Sequence, residues 1–90
     1  MLTEYEKNVL TIIATSEFNT LNGSIPRTVE ESATWMWTAD IAAEAGLTVN
    51  QTKGVLGSLV KKNMIAIDDI DADEDTLVQL TENGIDFFWR

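Results

Sequence analysis

Two short helical patterns joined by a tight turn lie in the middle of this 90-residue chain, and they constrain its fold more than any other feature. The first begins at Thr38, because threonine commonly caps a helix N-terminus. Its apolar side carries Ile41, Ala42 and Ala45. Gly46 follows at the position where a helix often ends in a left-handed residue. Residues 38–46 therefore predict one short amphipathic helix that stops abruptly.

A second helix is predicted directly after this turn. Thr48 and Gln51 have the spacing of a capping box, in which each side chain bonds the backbone N–H group of the other residue. The inward stripe recurs at i, i+3, i+4 and i+7 and consists of Thr52, Val55, Leu56 and Leu59. The opposite side is polar or small and presents Asn50, Gln51, Lys53, Gly54, Gly57, Ser58 and Lys61. Together the two patterns predict a helix-turn-helix.

The N-terminal third of the chain predicts one helix followed by a long loop. Thr3 and Glu6 form another capping box, so we expect a helix from about residue 4 to residue 16. Residues 17–34 lose the helical periodicity and contain the only proline, Pro26. Loops longer than about 12 to 15 residues are uncommon and often functional. This loop is either a solvated connection or a contact for a partner.

Three strand patterns and a last helix complete the chain. The Trp-Met-Trp run at residues 35–37 alternates as a short strand does, and we expect both indoles to pack into the core. A stacking platform for bases or a ligand is the alternative. Residues 64–67 and 76–80 predict an antiparallel hairpin. Thr81 then caps a C-terminal helix.

Composition excludes several classes of protein. The chain has neither cysteine nor histidine, so it lacks thiolate metal ligands, disulfides and the commonest general base. We therefore expect no enzyme, no metal site and no cofactor. No apolar run approaches the ~20 residues of a membrane helix, and the N-terminus does not match a signal peptide. A single domain over residues 1–90, located in the cytoplasm and without a membrane partner, is expected.

Charge is distributed unevenly along the chain, whose net charge is −9. Residues 1–46 carry seven acids against two cations, for a sum of −5. Residues 68–90 carry eight acids against one cation, for a sum of −7. Between them, residues 47–67 carry no acid and three cations, namely Lys53, Lys61 and Lys62. The second helix of the predicted pair is thus the only cationic segment.

The order of these elements resembles the winged helix-turn-helix family, and residues 38–90 are most similar to MarR-type and PadR-type bacterial regulators. The matching pieces are TADIAAEAGL, TVNQTKGVLGSLVKKNMI and LTENG. The resemblance implies an α+β, mainly α fold with a three-helix core, a two-stranded wing and a C-terminal helix. It also implies that the helix beginning at Val49 lies in the major groove of DNA, with its early residues near the base edges.

The first functional hypothesis is accordingly a transcriptional regulator that binds double-stranded DNA. Asparagine and glutamine can pair bidentately with adenine, and lysines can neutralise phosphates. The candidate DNA-binding residues are Asn50, Gln51, Lys53, Gly54, Gly57, Ser58, Lys61 and Lys62. Three consecutive aromatics at residues 87–89 cannot all face one small core, so at least one should be partly exposed. We expect the first and last helices to pair in a homodimer.

The predicted wing motivates a second hypothesis. Its turn carries six carboxylates where these relatives often place arginine or lysine, namely Asp68, Asp69, Asp71, Asp73, Glu74 and Asp75. Such a turn repels phosphates. The alternative is therefore an acidic winged-helix factor, accessory or phage-encoded, that binds a basic protein by presenting carboxylates in place of phosphates. The turn does not match a calcium-binding EF-hand loop, because Glu74 and Leu80 occupy the positions of its glycine and its last glutamate.

Overall fold

The computed structural model describes residues 2–21, 25–71 and 75–89, and for residues 17–21 it describes the backbone alone. These residues form four helices and a three-stranded antiparallel sheet. In chain order the elements are α1 (Glu4–Leu21), a 3₁₀ turn (Glu30–Ser32), β1 (Thr34–Met36), α2 (Thr38–Ala45), α3 (Val49–Lys61), β2 (Ile65–Ile67), β3 (Thr76–Leu80) and α4 (Glu82–Trp89). The fold is α+β and mainly helical, as predicted. Within the described residues, no helix has both the length and the apolar character needed to cross a membrane.

Helix α1 is longer than its sequence pattern suggested. Thr3 N–H donates to Glu6 Oε1 at 2.7 Å and Glu6 N–H donates to Thr3 Oγ1 at 3.2 Å, which confirms the capping box. The helix continues to Leu21, past the end predicted at residue 16, so the prediction of a loop over residues 17–34 is wrong at its start. An established helix gains one hydrogen bond for each added residue, and polar residues can extend it after the apolar periodicity has faded.

The sheet has the strand order β1-β3-β2, with β3 in the centre. Strands β2 and β3 pair antiparallel with Ile65 opposite Leu80, which confirms the predicted hairpin. Strand β1 pairs with the other edge of β3, where Trp35 lies opposite Leu77. The expected two-stranded wing is therefore joined by a third strand, and β1 connects the hairpin to the beginning of α2.

The core lies between α1, α2, α3 and one face of the sheet. Its apolar residues with 0% exposure are Val9, Leu10, Ile13, Ala14, Leu56, Leu59, Val78 and Leu80. The predicted inward stripe of α3 is confirmed, because Thr52, Leu56 and Leu59 are buried and Val55 packs against them half-buried. Burial of this stripe leaves the opposite side of α3 at the protein surface.

The indoles of the Trp-Met-Trp run are exposed, so the prediction that they pack into the core is wrong. Trp35 is 63% exposed and Trp37 is 44% exposed, whereas Met36 packs against the core between them. The alternation was predicted correctly, but the inward side was assigned to the wrong residues. An antiparallel sheet often has one face on the core and one in solvent, and here the indoles belong to the solvent face.

The tight turn between α2 and α3 has the predicted left-handed glycine. Gly46 has φ 72°, and the following N–H of Leu47 donates to the carbonyl oxygen of Ala42 at 3.0 Å. The predicted N-cap is wrong, however, because Thr38 lies within the first turn of α2 and makes no cap. Its hydroxyl donates instead to the carbonyl oxygen of Ile70 at 3.3 Å, which connects the start of α2 to the hairpin.

The end of α3 and the start of α4 are joined through Thr81. Asn63, which follows α3, has the left-handed φ of 59° expected of a C-terminal cap. The Thr81 hydroxyl donates to the carbonyl oxygen of Asn63 and accepts from the N–H of Gly84 at 3.2 Å, so the predicted cap of the last helix is confirmed. A Cβ atom on Gly84 would lie 2.2 Å from the carbonyl oxygen of Met64, so this contact requires glycine.

The three C-terminal aromatics pack largely against this chain. Phe87 and Phe88 are half-buried and contact each other edge to face, with ring centroids 5.2 Å apart. Trp89 is 41% exposed, which confirms that at least one of the three is partly exposed. Its Nε1 donates to the carbonyl oxygen of Pro26 at 2.8 Å, and the Arg27 guanidinium lies 3.7 Å from its ring centroid. Trp89 thereby fixes the segment that precedes β1.

Candidate functional site

The candidate surface is built on α3, whose first turn is fixed by a complete capping box. Thr48 Oγ1 accepts from the Gln51 N–H at 3.1 Å, and Gln51 Oε1 accepts from the Thr48 N–H at 2.9 Å. The predicted box is confirmed. Bidentate pairing with adenine needs both the oxygen and the nitrogen of a glutamine amide. The Oε1 atom of Gln51 already accepts one bond in the cap of its own helix, so pairing with a base would have to use the second lone pair of that oxygen.

Lys62 and Ser58 are engaged by α1. Lys62 Nζ donates to Glu6 Oε1 at 2.7 Å, and the Ser58 hydroxyl donates to Glu6 Oε2. Glu6 is only 3% exposed, although the Lys62 side chain remains 37% exposed. The bond from Lys62, followed by those from Ser58 and Thr3, lowers the pKa of Glu6 to about 2. These two candidate residues therefore connect α3 to α1.

Lys53 is engaged on a different side of α3. Its Nζ lies 3.2 Å from Asp71 Oδ1 in the turn that follows β2. Lys53 and Lys62 are separated by about 900° of helix rotation at 100° per residue, so they point about 180° apart. Lys61, by the same count, lies about 80° from Lys53. The three lysines of the cationic segment consequently do not form one continuous positive face.

Four candidate residues remain on the outward side of α3. Asn50, Gly54 and Lys61 are exposed and Gly57 is half-buried. Among the described residues, Lys61 makes no ion pair. A Cβ atom on either glycine would meet no atom within 4 Å, so internal packing of the described chain does not require them. Since each exposed helical glycine costs about 1 kcal/mol relative to alanine, this smooth patch is compatible with close approach of a partner.

Exposed negative charge lies beside Lys53 of α3. We call the described residues between β2 and β3, residues 68–71 and 75, the acidic turn. Its described acids are all exposed and comprise Asp68, Asp69, Asp71 and Asp75. The two other predicted acids, Asp73 and Glu74, lie outside the described residues. In the part of the chain that the structure describes, no group of three or more ligating side chains could hold a metal ion. Lys53 is the lysine that contacts the acidic turn, so the described acids of the turn outnumber the cation beside them.

A second surface lies beside β1, and the sequence had not placed its carboxylates next to the indoles. A groove of about 420 Å³ is lined by both exposed indoles and by three carboxylates, and we call it the indole groove. The residues that define it are Trp35, Trp37, Asp40, Glu44 and Asp75. The alternation at residues 35–37 was the available signal. It could not show which face is open, because that depends on where α1 and α2 pack.

Comparison with known proteins adds no family. The chain matches no model of a known protein family, and a search of curated proteins gives no match either.

Proposed function

We propose that the chain is a winged helix-turn-helix domain that binds a basic partner protein through the acidic turn and the adjoining side of α3. The order α1, β1, α2, α3 and a hairpin, together with the tight left-handed turn before α3, supports the fold assignment. The observation that carries the binding proposal is the engagement of Lys53 by Asp71 and of Lys62 by Glu6.

Charge balance favours a positively charged partner. The two ion pairs neutralise two of the three cations in residues 47–67, while the carboxylates of the acidic turn stay exposed. A phosphate backbone would meet charge of its own sign at this surface. Complementary potentials accelerate encounter with the right partner and disfavour wrong ones. The net charge of −9 also favours a positively charged partner over a nucleic acid.

The test compares two variants with the same change in net charge. The first replaces Asp68, Asp69 and Asp71 with asparagine, and the matched control replaces the exposed residues Glu4, Glu30 and Glu82 with glutamine. Each protein is titrated with a capped lysine-rich peptide. At roughly 0.3 kcal/mol for each exposed charge pair, we expect the first variant to bind about 5-fold more weakly than wild type.

Long-range attraction alone would weaken both variants equally. An equal loss in the control variant therefore contradicts a role for the acidic turn. Absence of peptide binding by the wild-type chain at low salt contradicts the proposed function as a whole.

A homodimeric transcriptional regulator that binds double-stranded DNA is the second candidate, favoured by the uncovered outward side of α3. Lys53 would have to leave Asp71, but an exposed ion pair contributes only about 0 to 1 kcal/mol. On this hypothesis Lys53→Ala and Lys61→Ala weaken binding to all duplexes alike, whereas Gln51→Ala removes the preference at one base pair. A monomeric mass in light scattering at micromolar concentration would count against the dimer.

A further inference from the structure

We propose that the indole groove receives an arginine side chain of the partner protein. This inference rests on the proposed function, since it names one contact by which a basic partner is recognised. The groove lies beside β1 and α2, so it is a separate contact from the outward side of α3.

The two exposed indoles of the groove are suited to contact with a partner. Trp35 and Trp37 are large apolar groups left at the surface, and tryptophan is enriched in protein interfaces relative to other surfaces. Neither indole N–H bonds a described residue, whereas that of Trp89 is bonded to Pro26. Side chains two residues apart in a strand stand about 7 Å apart on one face. Trp37 directly follows β1 in an extended backbone conformation (φ −94°, ψ 135°), so its indole lies on the same side of the chain as that of Trp35, and both line the groove.

The three carboxylates of the groove are suited to a cationic ligand. Asp40 and Glu44 are exposed and lie four residues apart on α2, hence on the same side of that helix. Asp75 adds a third exposed carboxylate from the start of the segment leading into β3. A guanidinium group can stack on an aromatic face and pair with a carboxylate through two parallel hydrogen bonds. Lysine offers a compact point charge instead, so arginine fits this combination better.

The same carboxylates argue against a nucleic acid in the groove. Bases could stack on the indoles, but the attached phosphates would approach Asp40, Glu44 and Asp75. Strand β1 is at an edge of the described sheet. An extended segment of a partner protein can lie beside such an edge while its side chain enters the groove.

The experiment follows the indole N–H signals of the ¹⁵N-labelled protein during titration with a capped peptide of alternating arginine and glycine. We expect the Trp35 and Trp37 signals to shift saturably and that of Trp89 to stay in place. Trp35→Ala and Trp37→Ala should each weaken binding about 3- to 10-fold. A peptide with citrulline, the neutral isostere of arginine, should cause no shift.

The matched control for lost aromatic surface is Tyr5→Ala, because Tyr5 is 60% exposed on α1 and does not line the groove. In this variant the peptide should still shift the Trp35 and Trp37 signals as it does in wild type, and thermal unfolding verifies that each variant is folded. Equal affinity of the tryptophan variants or equal binding of the citrulline peptide overturns the inference. Saturable shifts of the Trp35 and Trp37 signals with a single-stranded oligonucleotide alone overturn it as well.

Failure of the inference about the indole groove is distinguishable from failure of the proposed function. If basic peptides bind and only the acidic-turn variant weakens them, the groove is not a contact and the proposed function stands. If no basic peptide binds the wild-type chain, both fail together.

Discussion

The buried carboxylate of Glu6 makes a prediction about stability and pH. It accepts hydrogen bonds from Lys62, Ser58 and the backbone of Thr3, and its pKa falls from 4.5 to about 2. A carboxyl group whose pKa is lower in the folded chain favours folding when it is ionised. The stability that Glu6 contributes is therefore fully present above about pH 4.5 and is lost as the pH falls towards 2.

The magnitude follows from that shift. A change from 4.5 to about 2, at 1.36 kcal/mol for each pKa unit, corresponds to about 3 kcal/mol at most. Lys62 is 37% exposed, so solvent screens part of the attraction between the two charges. We therefore expect Glu6→Gln to lower the free energy of unfolding by about 1 to 2 kcal/mol at pH 7.

The assay is urea unfolding of wild type and Glu6→Gln at several pH values between 7 and 2.5. The gap in free energy of unfolding should be largest at pH 7 and should narrow below pH 4.5. The matched control is Glu4→Gln, because Glu4 lies two residues before Glu6 in α1 and its side chain is 93% exposed. It should change stability by less than about 0.5 kcal/mol. A Glu6→Gln gap that is absent at pH 7, or constant across the pH range, would refute the reasoning.

Three further predictions concern backbone and capping positions, each measured by thermal or urea unfolding. Gly84→Ala should destabilise the chain by about 1 to 3 kcal/mol, because its Cβ would collide with the Met64 carbonyl oxygen, and unchanged stability contradicts that close contact. Gly54→Ala and Gly57→Ala should each stabilise by up to about 1 kcal/mol, since a Cβ meets nothing within 4 Å, and a loss of stability would show unseen packing there. Thr48→Ala should cost about 1 kcal/mol while Thr48→Ser retains the cap, and equal costs would mean that the hydroxyl does not matter.

Local features of the fold were predictable because their partners lie close in sequence. The capping boxes at the starts of α1 and α3 join residues three apart, and Gly46 ends α2 through its own backbone conformation. The face of β1 was not predictable in this way. Met36 faces inward because helices cover one side of the sheet, and that is a property of the whole fold.

The candidate site was harder to predict than the fold, because its contacts depend on how the helices and the hairpin pack together. Counting charges along the chain identified a cationic segment, but Glu6 and Asp71, which pair with two of its lysines, lie outside that segment. Glu6 was predicted only as a cap, and its second role depends on how α1 packs against α3. Helical periodicity alone, however, does place Lys53 and Lys62 on opposite sides of α3.

The most direct test of the central claim is a titration of the wild-type chain with random-sequence duplex DNA at increasing salt. If the lysines of α3 are engaged within the chain and its surroundings are acidic, the account predicts no saturable binding at about 50 mM salt. Binding at that salt, with log K falling by about 0.9 per phosphate contact against log salt concentration and a total slope of −2 or steeper, would contradict it.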